Sequence, residues 1–257
     1  MKPTIILGLI ALTFPAFAQT PSVPPTPEII LQQQKKKQAD SRTLAGQPLP
    51  IALNALGSLA NDLIAYFPMD DTAKGCLAWS RKPISVTATS EVEIKEADGR
   101  RYADFSRSGA CLVFDPPLDL GRHYTLTAWV QAPAPPKKGA IWHGAGGLLF
   151  LGDKELSYWV ATTKVGGDYA KTAAPLAGWM HVAVVADGSK TQAFLNGTPL
   201  DSVKGIVSQN LITVGTHPEA QLHDLMRAAG IDEQYFFSRN LSPDEIKRLI
   251  ILTQPKK

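Results

Sequence analysis

The chain has 257 residues, 44% of them hydrophobic and 19% charged, with 26 basic and 23 acidic side chains and a formal net charge of +3. So small an excess, with the basic residues not gathered on one element, gives no electrostatic footprint for nucleic acid. The two cysteines lie far apart and form no CxxC or His–Cys pairing, which excludes a structural zinc site or dithiol redox motif of the usual spacing.

The first residues set the compartment. Lys2 is followed by an apolar run from Ile5 to Phe14, then Pro15, then Ala16-Phe17-Ala18 ahead of Gln19. A positive start, a short apolar stretch and a small-x-small cleavage site are the layout of a secretory signal peptide, residues 1–18. The run is too short to span a bilayer as a permanent helix, and no second long apolar run follows. No cysteine sits immediately after the cleavage site to take a lipid anchor. An exported protein, periplasmic or secreted and without a transmembrane segment, is expected. Cleavage removes Lys2 and no acid, so the net charge falls from +3 to +2.

Residues 19–57 read as a Pro/Gln/Lys-rich linker, partly helical or disordered. PSVPPTP is extended and solvated. Glu28 to Arg42 has the composition of a marginal helix without a large apolar face, and Lys35-Lys36-Lys37 is a short solvated run.

From residue 58 the hydrophobic period becomes two. The predicted strands are 63–68, 84–96, 101–106, 110–114, 124–132, 140–144, 147–152, 155–161, 179–187, 190–197, 211–215 and 230–239. Turn chemistry punctuates them at Asp98-Gly99, Gly146-Gly147, Asp187-Gly188 and Asn196-Gly197. Many short strands at regular spacing predict an all-β, two-sheet antiparallel jelly-roll sandwich over residues 58–254. One short C-terminal helix closes it. In SPDEIKRLIILTQ (242–254), Ser242 is the N-cap, Pro243 the first helical residue and Glu245 the partner in a capping box. Leu241 is placed to staple onto Ile246, and Ile246, Leu249 and Ile250 form the buried stripe.

Four stretches, in order, resemble one family: LIAYFPMDD, YTLTAWVQAP, GWMHVAVVADGSKTQAFLNGTPL, and LITVG with GIDEQYFFSRNLSPDEIKRL. They are similar to the strands and hairpins of the laminin G-like, concanavalin A-like lectin–glucanase jelly rolls found in many exported bacterial proteins. The resemblance covers about residues 58–254. It implies two curved sheets packed face to face and a non-catalytic binding role, most often towards carbohydrate. A structural or adhesion module contacting a cell-surface or extracellular protein is the alternative. Fold does not fix function, so individual residues have to be weighed.

Trp142, His143 and Tyr158 are the expected ligand-binding residues, because sugar rings stack on exposed aromatic faces and the loop at GAGG suits a binding site. Trp129 and Trp179 fit core positions of the family, and His181, on a strand apolar on both faces, reads as a packed core histidine. The resemblance also implies a calcium site, since some members hold that ion. Its expected ligands are Asp70, Asp71 and Asp232, brought together if the first and last strands lie side by side. The loop after Asp71 (TAKGC) lacks the further Asp and Asn residues common in members with a filled site. Cys76 and Cys111 allow a disulfide in an oxidising compartment, worth roughly 3–4 kcal/mol in the chain-entropy model, while two buried free thiols satisfy the same pattern.

EVEIKE (91–96) resembles the E-x-D-x-x-E strand of glycosidases on this fold, which would make Glu91 and Glu96 a catalytic pair. Glu93 stands where the pattern has Asp, alternation sends Glu91 and Glu96 to opposite faces, and no aromatic lies between Trp79 and Tyr102 to build a sugar cleft. The stretch is therefore expected to be a solvent-facing strand.

Overall fold

The computed structural model describes residues 51–71, 79–89, 91–107, 109–131, 139–144, 147–151, 156–160, 168–172, 178–205, 209–215 and 230–254. For 51–52, 139, 147–151, 156–160 and 168–172 the description is of the backbone alone. The expected signal peptide, the marginal helix at 28–42 and Cys76 lie outside the described residues.

Among the described residues there are sixteen strands: β1 (Leu63–Phe67), β2 (Trp79–Ser80), β3 (Val86–Ala88), β4 (Glu93–Ala97), β5 (Arg100–Asp104), β6 (Cys111–Asp119), β7 (His123–Gln131), β8 (Gly139–Gly144), β9 (Gly147–Leu151), β10 (Leu156–Val160), β11 (Asp168–Thr172), β12 (Trp179–Asp187), β13 (Lys190–Leu195), β14 (Thr198–Lys204), β15 (Asn210–Gly215) and β16 (Gly230–Phe237). The first sheet runs β14-β13-β12-β7-β16-β1-β2, with β5 joined to β16 and β4 to β5. The second runs β11-β10-β9-β8-β15-β6-β3. Every pairing among these strands is antiparallel. The expected sandwich is thus present.

The centre of the first sheet explains itself from composition. β7 and β12 pair over nine residues, from Trp179 opposite Gln131 to Asp187 opposite His123. Met180, Val182, Val184 and Ala186 alternate onto the inner face with Ala128 and Val130. Across the sandwich Phe67 and Phe236 of the first sheet meet Phe114 and Trp142 of the second. The ring centroids lie 5.2 Å apart for Phe67–Phe236, 5.8 Å for Phe67–Phe114 and 6.4 Å for Trp142–Phe236.

A second apolar layer covers the outer face of the same sheet. It is built by a 3-10 helix (Ile51–Asp62) and by α1 (Pro243–Thr253), whose capping box between Ser242 and Glu245 forms as expected. Leu53, Leu56 and Leu59 pack with Ile246, Leu249 and Leu241 over Tyr66, Ala183, Phe194, Tyr235 and Phe237. Each such leucine contributes about 1.5–3 kcal/mol by leaving water. Gly57 (φ 57) joins the two turns of the 3-10 helix, where a Cβ would meet Arg248 Nη2 at 3.2 Å. Arg239 ties the layer by charge, with Nε 2.7 Å from Asp62 and Nη2 2.7 Å from Glu245. The 3-10 helix straddles the boundary expected at 57/58, and its buried Leu53 and Leu56 lie on the linker side.

The expected strand 84–96 is two strands, β3 and β4, belonging to different sheets. β2, β11 and β14 carry no period-two signal strong enough to announce them; pairing with a neighbour decides them.

Candidate functional site

Asp232, Glu233 and Gln234 interrupt the apolar residues of β16, and the sheet breaks at the same place. On one edge β16 pairs with β7 throughout, with a register shift between Asp232 and Tyr235. On its other edge it changes partner: Gly230 and Ile231 face β5, whereas Gln234 to Phe237 face β1. Asp232 and Glu233 fall between the two partners. Glu233 has φ 50, a left-handed conformation that is costly for a side chain with a Cβ. A bulge of this kind re-aims side chains, and here it turns two carboxylates towards the outer face.

The gap is a cleft of about 390 Å³ whose lining includes Tyr66, Asp70, Arg101, Asp232, Glu233 and Gln254. Tyr66 and Tyr235 are cross-strand partners whose rings stack at 4.8 Å. The Tyr66 hydroxyl lies 3.1 Å from both Glu233 carboxylate oxygens, and the Tyr235 hydroxyl donates to the same group. Glu233 is therefore an acceptor already oriented by two phenols, whose own acidities burial and the Glu233 charge suppress.

Arg100 forms the floor. The Asp98-Gly99 turn, both residues at positive φ, folds β4 onto β5 and sets Arg100 at the start of β5. Its Nε is 3.0 Å from Asp232 Oδ2, and both side chains are about 5% exposed (5% and 6%). Its Nη2 donates to the Thr253 carbonyl at the end of α1 at 3.1 Å. The guanidinium carbon stands 4.9 Å from the ring centroids of both Trp129 and Trp179. Trp129 Nε1 donates to Thr253 Oγ1 at 2.9 Å, so helix end, sheet and arginine form one unit. Nη1 of Arg100, Nε1 of Trp179 and Nδ1 of His181 have no hydrogen-bond partner among the described residues.

Two neighbouring carboxylates share one guanidinium here, and that imbalance sets their protonation. Burial, then the Glu233 charge, pushes Asp232 up to about 8 against the pull of Arg100. Burial raises Glu233 as well, against its two tyrosine hydrogen bonds. Burial, reinforced by Arg100, drives His181 down to about 3, so it is a neutral imidazole 1% exposed, with its ring 5.4 Å from Trp129.

The residues singled out from sequence are distributed as follows. Asp70 and Asp232 line the same cleft, as the pairing of β1 with β16 requires; Asp71 does not line it. Among the described residues no three His, Cys, Asp or Glu side chains gather as a metal ion would need. Trp142 is 3% exposed and packed between the sheets, its indole N–H donating to Gln234 Oε1 at 2.8 Å. His143 follows it on β8 and is half-buried. Tyr158 lies on β10, two strands from β8, in the register row Trp142–Leu149–Tyr158; its side chain is outside the described residues. Cys111 is a buried free thiol, which burial pushes up to about 11. Glu91 sits in the turn before β4, Glu93 pairs with Arg107 at 2.7 Å, and Glu96 is exposed. The three glutamates do not share one strand.

Arg100, Glu233, Tyr66 and Tyr235 were not singled out from sequence. The available signal was the polar run Asp232-Glu233-Gln234, which interrupts the apolar residues Ile231 and Tyr235 to Phe237.

The sequence profile of the concanavalin A-like lectin/glucanases superfamily, laminin G type, matches residues 105–247. No curated protein matches the sequence. Among solved structures, the binding domain of Paraclostridial Mosquitocidal Protein 1 is similar, with TM-score 0.58 at 13% identity over 74% of this chain and 52% of that one. The botulinum neurotoxin serotype D ligand binding domain in complex with N-acetylneuraminic acid gives TM-score 0.59 at 14% identity over 77% and 52%. The binding domain of botulinum neurotoxin DC in complex with rat synaptotagmin II gives 0.58 at 11% over 76% and 53%. This chain spans about half the length of each, and at such identities the likeness is one of fold.

Proposed function

This chain belongs to the concanavalin A-like lectin/glucanases superfamily, and from that premise we propose that it is an exported, non-catalytic binding module whose ligand is a carbohydrate. The observation that carries the reading is the cleft at the break in β16. Its size suits one or two sugar rings. Saccharide hydroxyls need acceptors and donors held in fixed directions. Asp70 and Glu233 supply acceptors, and Arg101 and Gln254 supply donors. Glu233 is held by two tyrosines before any ligand arrives, which lowers the ordering cost of binding. His143 on the second sheet remains a second candidate position, whereas Trp142, expected at an exposed surface, is packed between the sheets and presents no ring face to a ligand. The neighbouring toxin domains, one solved with N-acetylneuraminic acid and one with synaptotagmin II, support a binding role of either kind.

A protein ligand is the second reading. It is favoured by Ile251 and Leu252, 73% and 40% exposed on the last turn of α1, with Leu252 on the rim of the cleft. A glycan array probed with the purified chain, with calcium and with chelator, separates the readings. Saccharide retention lost in Asp70→Asn and Arg101→Ala supports the carbohydrate site in the cleft. Retention indifferent to both but lost with His143→Ala moves the site to the second sheet. A blank array shifts the assignment to a protein-contacting module.

A further inference from the structure

The expectation of calcium rests on carboxylates of the first and last strands converging, and Asp70 and Asp232 do line one cleft. The donor set nevertheless does not fit the ion. Calcium takes six to eight oxygen ligands, several of them charged. Here the inward carboxylate, Asp232, is engaged by the guanidinium of Arg100 at 3.0 Å, and Glu233 accepts from the hydroxyls of Tyr66 and Tyr235. Asp71 stands outside the cleft. The positive charge is delivered by a side chain that is 5% exposed and held at Nε, at Nη2 and over two indole rings. Trp129 and Trp179 stack on it at 4.9 Å and the Thr253 carbonyl accepts from it at 3.1 Å.

We infer that Arg100 is the resident cation of this site: its guanidinium takes the place between β16, β5 and the end of α1 that a divalent ion would otherwise fill, and it holds the cleft in shape without metal. Three features suit an arginine to this and not a lysine. The planar fork bonds a carboxylate and a carbonyl at once, the flat ion stacks between two indoles, and the guanidinium is weakly hydrated enough to be buried. The arginine also joins β5, β7, β12, β16 and α1 through one group, as a coordinated ion would. Ligand capture in the cleft is then independent of calcium.

Melting of the full chain in millimolar calcium and in chelator tests this without any saccharide present, so its failure leaves the carbohydrate reading untouched. The midpoint of the unsubstituted protein is expected to be the same in both conditions. Arg100→Gln is expected to melt several degrees lower in chelator and to recover part of that loss in calcium, because Asp232 and Glu233 are left facing an uncompensated hole. Merely structural damage would not respond to calcium. Arg100→Lys, retaining charge without the fork, is expected to be weakened and still indifferent to calcium. If Arg100→Gln is unfolded in chelator, recovery of its native near-UV signal in calcium supports the inference and failure to recover overturns it. A calcium-dependent rise in the unsubstituted protein, or saturable calcium binding to it by calorimetry, overturns the inference, as does a folded Arg100→Gln blind to calcium.

Discussion

The two faces of the first sheet are both buried, yet they are buried by different physics. The inner face is closed by hydrocarbon: Phe67, Phe236, Val182 and Val184 meet Phe114 and Trp142, the last of which the sequence had pointed to an exposed surface. The outer face is apolar towards its middle, under Leu56, Ile246 and Leu249, but at the end of α1 it encloses Arg100, Asp232, His181 and two tryptophans. An apolar contact tolerates any partner of the right volume, whereas a buried arginine–carboxyl contact is stable only with its partner in one geometry. The outer face is thus where this chain is particular, and the cleft opens beside it.

The largest expected effect lies on the inner face and sets the scale. Phe236→Ala removes the ring that touches Phe67, Phe114 and Trp142, and should cost about 3–5 kcal/mol in urea unfolding. Arg100→Met should cost less, about 1–3 kcal/mol, by leaving the buried Asp232 carboxyl without the donor that faces it. The faces part company in the double variant. Arg100→Met with Asp232→Leu should regain most of the loss, while no second truncation rescues Phe236→Ala. A double variant as unstable as the single would erase the distinction.

Acid and base sharpen the comparison further, because His181 and Asp232 both lie on the outer face. His181 has a folded value of about 3 against 6.5 in the unfolded chain. Its contribution is complete above 6.5 and is lost as pH falls towards 3, by about 1.4 kcal/mol per pH unit. Asp232 runs the other way. Its folded value of about 8 lies above 3.8, so its contribution is complete below 3.8 and is lost as pH rises through 8. Between 3.8 and 6.5 the slopes oppose. His181→Gln should therefore make stability fall with rising pH across a window where the unsubstituted protein is nearly level; parallel profiles would remove both groups from the account.

Smaller effects follow at the edges. Ser242→Ala breaks the capping box that starts α1 and should cost about 1 kcal/mol, measured by thermal midpoint. Asp70→Asn and Arg101→Ala should change stability by no more than about 0.5 kcal/mol, since both side chains sit at the mouth of the cleft. The same two variants should lower saccharide affinity at least tenfold by calorimetry, which would show that the outer face is built for binding as well as for folding.

Much of this architecture was readable in the chain before any coordinates. A strand apolar on both faces, WMHVAVVAD, fixed β12 as central and His181 as an interior residue, because only a strand covered on both sides buries both sets of side chains. Asn196-Gly197, both at positive φ, fixed a hairpin, and Ser242 with Glu245 fixed the start of α1, because these are local rules of backbone geometry. The 3-10 helix escaped, since its leucines acquire a face only against the sheet. The expected strand 84–96 divided into β3 and β4 because sheet membership is set by distant partners. The cleft was decided by tertiary structure alone. No local signal says that β16 exchanges β5 for β1 at Asp232, that Arg100 reaches it from a hairpin more than a hundred residues away in sequence, or that Thr253 completes the cage. Sequence speaks of periods and turns, which are short-range; a buried charge finds its partner only when the whole sheet has closed around it.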